Sequence, residues 1–316
     1  MQQGSETIAA ESFCAVEGVR HVYKGGTVAL DGVDLRIGTG LFGLLGPNGA
    51  GKSTLMRILC TLLVPTEGRA AVGGYDVVTQ RDAVRSLIGY LPQEFGAWRL
   101  HRVAEVLDTL ASLSGMWDKG ERRLRVEQVL EQVGLAEVSD RKVKKLSGGM
   151  LRRLGVAQAL VHEPRFLIVD EPTVGLDPEE RLRFRAVMAE LAKDRTIILS
   201  THIVADLGSG CEDLALIDRG KVVFRGSPSE LLQRSRGRVV EVEVEQSGEM
   251  AVLELIEVVA RSAHGGRVHI RGVLKGEGAV SGSMPVADPT LEEAYLAFMV
   301  GRGREIVLEG AEVAHA

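Results

Sequence analysis

Gly46-Pro47-Asn48-Gly49-Ala50-Gly51-Lys52-Ser53-Thr54 follows the apolar run Leu41 to Leu45 and precedes Leu55-Met56-Arg57-Ile58-Leu59. The order reads as strand, glycine-rich turn and helix, the context that a phosphate-binding loop requires. Glycines at 46, 49 and 51 let the backbone curl so that successive N–H groups point inward. There they and the positive end of the following helix can hold a polyphosphate. In this reading Lys52 reaches the outer phosphates and the Ser53 hydroxyl ligates Mg²⁺. A glycine-rich loop with a chance lysine is the bland alternative, but this one sits at a strand-to-helix junction and has company downstream.

The chain has 316 residues, enough for one sizeable domain with an appendage or for two modest domains, and a 45% hydrophobic content can fill a core of that size. A formal net charge of −5 argues against nucleic acid as a partner, which would need a strong basic excess. Cys14, Cys60 and Cys211 are few and widely spaced, so they form neither a disulfide framework nor a metal-ligand pattern, and a reducing cytoplasm fits. Met1 to Phe13 carries Glu6 and Glu11 and lacks the basic flank and apolar centre of a secretory signal. No run reaches the roughly 18 apolar residues of a membrane span, so any membrane role is expected to be peripheral.

Phe13 to Ile37 alternates with turn signals and reads as short antiparallel strands. Tyr23, just before Lys24-Gly25-Gly26, is either a half-buried strand tyrosine or a ring face for a planar base. A strand over Ser86 to Leu91 ends in Pro92 and Gln93, whose uncharged amide could touch a metal-bound water. Phe95 and Trp98 follow in a Gly-Ala loop, as core plugs or as part of a docking surface. From about 101 to 145 the apolar period becomes helical, through Val103, Val106, Leu107, Leu110, Leu113, Leu124, Val126, Val129, Leu130 and Val133, with Gly115 and Gly134 as stops. That insertion runs into Leu146-Ser147-Gly148-Gly149-Met150, a helix start whose bare N–H groups suit an anion, although an ordinary N-cap has the same pattern.

Phe166 to Val169 is an apolar run of the kind buried on both faces, and it ends in Asp170-Glu171-Pro172. Adjacent acids at the tip of such a strand suggest a cation and a reaction. Asp170 is read as a Mg²⁺ ligand through its water shell and Glu171 as the base for an attacking water. Thr173 to Pro178 is a turn-rich loop opening a helix, and a further buried strand, Thr196 to Thr201, delivers His202 to the same side of the sheet. The composition changes around Ser235 to Arg238. Beyond it Val240, Val242 and Val244 alternate with glutamates as a strand, Met250 to Ala260 reads as helix, Arg267 to Arg271 as strand, Gly276 to Pro289 as loop and Leu291 to Met299 as an amphipathic helix.

Taken together, these motifs in this order resemble the ATP-binding subunit of ABC transporters over about residues 13–232. Gly46, Pro47, Asn48, Gly49, Ala50, Gly51, Lys52, Ser53 and Thr54 match the Walker A region, Gln93 the Q-loop and Leu146 to Gly149 the signature. Phe166 to Asp170 match Walker B, Glu171 the catalytic glutamate, Gly175-Leu176-Asp177 the D-loop, His202 the switch histidine and Tyr23 the adenine-stacking aromatic. The signature's last position, often glutamine in the family, is Met150 here. Pro289 to Leu296 is similar to the accessory region of drug-exporter-type ATPases whose membrane subunit is a separate polypeptide.

The resemblance implies an α/β fold: a P-loop NTPase core of mixed sheet with an antiparallel N-terminal subdomain, a helical insertion over about 94–160, and a small α+β C-terminal accessory or dimerisation domain over 235–316, after a flexible 1–12 and an ATPase domain over 13–234. It implies ATP and Mg²⁺, with Ser53, Gln93 and Asp170 at the metal. It further implies a head-to-tail pair of copies in which Ser147, Gly148 and Gly149 of one meet the ATP held by the other. A separate integral membrane subunit would export a drug-like, antibiotic or lipid-like compound, with this chain on the inner face of the membrane. The rival readings are a soluble ABC-type ATPase without a transporter, an importer, a P-loop GTPase or kinase, and an ATP sensor that does not hydrolyse. The soluble class has fused ATPase units or a long coiled coil, neither of which is present. No Asn-Lys-x-Asp guanine reader occurs, and Glu171 and His202 argue against a mere sensor.

Overall fold

Phe166 to Asp170 and Thr196 to Thr201 are buried along their whole length, as strands covered on both faces must be. They lie side by side in a six-stranded sheet of the computed structural model, which describes residues 12–304 except 209, 277 and 279. The chain forms two compact units that divide between Arg225 and Gly226.

The first unit begins with β1 (Cys14–Val22) and β2 (Val28–Ile37), then β3 (Gly40–Leu45), α1 (Lys52–Leu59), β4 (Glu67–Val72), β5 (Tyr75–Asp76), α2 (Arg81–Leu87) and β6 (Ile88–Leu91). The helical insertion supplies α3 (Val103–Leu113), α4 (Lys119–Gln132) and α5 (Gly148–Leu160). After it come β7 (Phe166–Asp170), α6 (Pro178–Leu191), β8 (Thr196–Thr201), β9 (Cys211–Asp218) and β10 (Lys221–Gly226), whose last residue lies across the division. The central sheet has the order β10-β9-β3-β8-β7-β6, and β9, β3, β8, β7 and β6 run parallel. Register pairs Leu45 with Thr201, Asp170 with Ser200 and Leu91 with Val169, so the segments that follow β3, β6, β7 and β8 all leave from one edge.

A second sheet, β2-β1-β4-β5, is antiparallel. The short strands expected between Phe13 and Ile37 merge into two long ones because bulges absorb the irregular alternation. Helix α1 buries Leu55, Met56, Ile58 and Leu59 in a core shared with both sheets. Each such side chain contributes about 1.5–3 kcal/mol on burial, and together they hold the phosphate loop against its strand. In the insertion, Val106, Leu107, Val129, Leu130, Leu154 and Val156 are buried, whereas Leu113 and Leu124, which share the helical period, are exposed. Cys14, Cys60 and Cys211 are buried free thiols, and burial pushes Cys211 up to about 11, which leaves it an inert core residue.

The second unit contains α7 (Pro228–Ser235), β11 (Val239–Glu245), α8 (Glu249–Leu255), β12 (Ile256–His264), β13 (Arg267–Leu274), β14 (Met284–Pro285) and α9 (Leu291–Val300), with the antiparallel order β12-β13-β11-β14. Three expectations are corrected. The division falls before α7, because that helix packs on α9. The helix expected over Met250 to Ala260 stops at Leu255, because Val258 to His264 pair with β13. The loop of 276–289 carries the short β14. Val240 and Val242 face one core and Val239 faces another, so the alternation of β11 serves two buried faces. Arg271 ties the sheet to α9 through Glu293 and also pairs with Glu241 at 2.8 Å. The expectation for residues 1–12 lies, except for Ser12, outside the described residues.

Candidate active site

Turning from β3 into α1, the chain must pass close to β9. A Cβ on Gly46 would run into the Ile217 carbonyl, and Gly51, with φ of 111°, would meet Ala29 there. Gly49 adopts φ of 76° on the exposed rim of the loop. Both latter conformations exclude ordinary side chains, so the glycines at 46, 49 and 51 are each required by backbone geometry. Gly51 stands at the N-cap of α1 without a side-chain cap, which leaves the first helical N–H groups available to an anion. Lys52 is 4% exposed, and its Nζ donates to the carbonyls of Gly46 at 2.6 Å and Pro47 at 3.2 Å.

The parallel sheet brings three further elements to this loop. Lys52 Nζ lies 3.1 Å from Glu171 Oε1, and His202 Nδ1 lies 3.0 Å from Glu171 Oε2. Against an acceptor-only carboxylate, Nδ1 is the donating nitrogen of the imidazole. Glu171 itself is 6% exposed and has φ of 43°, a strained conformation for a non-glycine residue. Its N–H donates to Ser200 at 3.0 Å, which anchors it to β8.

Asp170 ends β7 with its Oδ1 accepting from Ser200 Oγ at 2.9 Å, and Ser53 hydrogen-bonds to it as well. Burial raises its pKa above the ordinary value, against the opposing pull of the two serines and Lys52. Neutralisation by a cation would relieve that burial cost. A serine hydroxyl and a carboxylate are the hard oxygen donors that fit Mg²⁺, an ion that draws much of its coordination from phosphate and water. Gln93 is exposed just beyond β6.

Tyr23 is 37% exposed, its ring meets His21 edge-on at 4.7 Å, and its hydroxyl lies 3.1 Å from Thr54 Oγ1. The ring therefore stands beside the loop and is partly exposed. Ser147 caps α5 by accepting from Met150 N at 3.1 Å. The neighbours of this helix start are on the entry to α6: Gly148 faces Leu176, and a Cβ on Gly149 would strike the Glu180 carboxylate. Asp177 caps α6 by accepting from Glu180 N at 2.9 Å. Thus the structure unites Lys52, Ser53, Asp170, Glu171 and His202, while the Ser-Gly-Gly stretch packs with the Asp177 segment.

Two side-chain clusters escaped the sequence reading. Asp206, 2% exposed, accepts from Thr173 Oγ1 and, at 3.0 Å, from Thr201 Oγ1, binding the segment after Glu171 to the end of β8. Its only sequence signal is an acid four positions after His202. Arg152 donates to the carbonyls of Gln93, Glu171 and Pro172 and lies over the Phe95 ring. Phe95 is thereby half-buried against α5, whereas Trp98 is exposed beside His101. Two arginines within an apolar helix pattern were the available hint.

A family model described as ABC transporter matches residues 30–174. The daunorubicin resistance ATP-binding protein DrrA3 of Streptomyces coeruleorubidus is 36% identical over 243 residues, covering 76% of each chain. Among solved structures, cbiO1 of Clostridium perfringens, part of the ABC transporter complex cbiONQ, is 29% identical with a TM-score of 0.65 over 72% of this chain and 92% of that one. The ATP-binding cassette MJ0796, solved as a dimer in a post-hydrolysis state with ADP and Pi, is 25% identical with a TM-score of 0.61 over 68% of this chain and 98% of its own. A relative of such identity over most of both chains, joined to a phosphate cradle that faces a buried acid pair, makes this protein an ATP-hydrolysing, ATP-binding subunit of the ABC transporter family.

Proposed function

We propose that two copies of the chain face in opposite directions and enclose ATP between the phosphate loop of one and Ser147-Gly148-Gly149 of the other. The observation that carries this reading is the separation within one chain. Lys52, Asp170, Glu171 and His202 converge at the sheet edge, while Gly148 and Gly149 have Leu176 and Glu180, at the entry to α6, as their neighbours. A single copy thus offers one half of a phosphate enclosure, and the dimeric neighbour with ADP and Pi supports the pairing.

In the pair, the loop N–H groups and Lys52 hold the phosphates, and Tyr23 stacks on adenine. Ser53 and Asp170 would hold Mg²⁺, with Gln93 reaching it through water, and the bound ion would supply positive charge beside the phosphate oxygens. Glu171 takes a proton from water as the water oxygen bonds to the terminal phosphorus. The bond from that phosphorus to its bridging oxygen breaks, giving ADP and phosphate. His202 orients Glu171 and contacts the terminal phosphate, and the signature N–H groups stabilise its charge from across the pair. Asp177, by capping α6, keeps its loop in shape beside the partner's nucleotide.

Closure on ATP and opening after hydrolysis would move the helical insertion and drive a separate integral membrane subunit at the inner face of the membrane. No helix among the described residues is long and apolar enough to cross a membrane. The daunorubicin-resistance relative and the Pro289 to Leu296 segment support export of a drug-like, antibiotic or lipid-like compound as the direction.

Complementation tests the pairing. Lys52→Ala spoils the loop, and Gly148→Asp, for which a Cβ has room, spoils the signature. Each variant alone should be inactive. Random pairing in an equal mixture should restore about a quarter of the parental rate, because mixed pairs contain one intact site. A mixture no more active than its components would overturn the pairing. For transport, the compounds that raise the ATPase rate of the chain with its membrane subunit should be exported ones.

A further inference from the structure

Arg152 stands on α5 beyond the Ser-Gly-Gly start, and its guanidinium is shared among three backbone carbonyls. Nη1 donates to Gln93 at 2.7 Å, Nε to Pro172 at 2.7 Å and Nη2 to Glu171 at 3.1 Å. The guanidinium carbon lies 5.7 Å from the Phe95 ring centroid, and Gly155, one turn further along α5, leaves space for that ring, since a Cβ there would press on Phe95 and Leu91.

The contact with Glu171 matters because of that residue's backbone. A side chain at φ of 43° stays there only while its surroundings hold it. The peptide unit before Glu171 is held by the N–H bond to Ser200 on β8. The peptide unit after it is held by Arg152, which belongs to the helix that begins at the signature.

We propose that Arg152 is a positioning residue that makes the placement of the Glu171 carboxylate depend on where the signature helix stands and on the backbone at Gln93. The inference rests on Glu171 being the base. A planar guanidinium can serve three carbonyls in different directions at once, and it does not lose its charge. An ammonium keeps the charge but lacks the fork. Without the fork, the peptide after Glu171 is free to leave its strained conformation, and the carboxylate moves with it. A displacement of about 1 Å at a reacting group costs on the order of 10²-fold in rate. The loop contacts of Lys52 do not run through Arg152, so nucleotide affinity should not weaken.

The test compares Mg-ATP hydrolysis by the full chain with that of Arg152→Lys, Arg152→Ala and Glu171→Gln, alongside direct ATP titration and amide exchange at Glu171 and Thr173. Both Arg152 variants should lose roughly 10- to 100-fold in kcat, with neither KM nor the ATP Kd rising more than about threefold above the parent's. They should be equally impaired, and the Glu171 and Thr173 amides should exchange faster in both. If Arg152→Ala does not fold, Arg152→Lys, which keeps the stem and the charge, decides. A parental kcat in Arg152→Lys, or a loss confined to KM, overturns the proposal. Glu171→Gln separates the two layers: parental turnover there means that Glu171 is not the base. An inactive Glu171→Gln beside a fully active Arg152→Lys means that only the positioning role is wrong.

Discussion

Glu171→Gln should slow hydrolysis and tighten ATP binding at the same time. The carboxylate accepts from Lys52 Nζ at 3.1 Å and His202 Nδ1 at 3.0 Å, and Lys52 and Glu171 are only 4% and 6% exposed. As a base, Glu171 is worth roughly 10²- to 10⁴-fold in turnover. As a partner, it competes with phosphate for the Lys52 ammonium. A hydrogen bond between charged groups contributes about 1.5–3 kcal/mol, and the version left by a neutral amide about 1 kcal/mol less. At 1.4 kcal/mol per factor of ten, the ATP Kd should fall by roughly 5-fold. The titration belongs in chelator, where neither protein turns over and the two affinities compare directly. An affinity equal to or weaker than the parent's would refute the competition for Lys52. Hydrolysis at the parental rate would refute the role of Glu171 as base.

Other outcomes follow from buried contacts. Gly149→Ala sets a Cβ against the Glu180 carboxylate, which lies 3.4 Å from Arg153, so denaturant unfolding should show a loss of about 1–3 kcal/mol from overpacking. An unchanged midpoint would refute the close approach of the Glu180 carboxylate to Gly149. Asp206→Ala leaves the Thr173 and Thr201 hydroxyls without their shared acceptor and should cost about 1–3 kcal/mol, read as a lower Tm. For Glu293, burial works to raise the pKa, but the hydrogen bonds from Arg271 and Thr290 outweigh it and hold the carboxyl below its usual value. A carboxyl depressed in the folded state stabilises fully above its unfolded pKa, and that contribution is lost as pH falls through the lower folded value. Glu293→Gln should therefore remove part of the acid destabilisation of the full chain; an identical pH profile for the variant would show that Glu293 carries none of it.

How much was legible depends on the range of the interaction. The phosphate loop, the strand-end acids and the Ser-Gly-Gly start could be read because each is contiguous and carries its own local physics: glycines where φ is positive, apolar runs where both faces are buried, and a hydroxyl where a helix needs a cap. The helix over Met250 to Ala260 misled because its valines suit either period, and pairing of Val258 to His264 with β13 decided the matter. Leu113 and Leu124 misled because an apolar period does not say which of its members a neighbouring helix will cover.

The amino-acid sequence by itself determined the family, the glycine-rich strand-to-helix loop and the identity of the acids and histidine at the strand ends, since those depend on residues adjacent in the chain. Only the tertiary structure decided that Glu171 is shared by Lys52 and His202 in a strained backbone, that Asp206 joins Thr173 to Thr201, and that Arg152 ties the signature helix to the carbonyls beside Gln93 and Glu171. Most of those contacts join residues far apart in the chain, and those of Arg152 end on backbone carbonyls that every residue possesses, so no side-chain pattern announces them. The parallel sheet makes them by bringing distant strand ends to one edge.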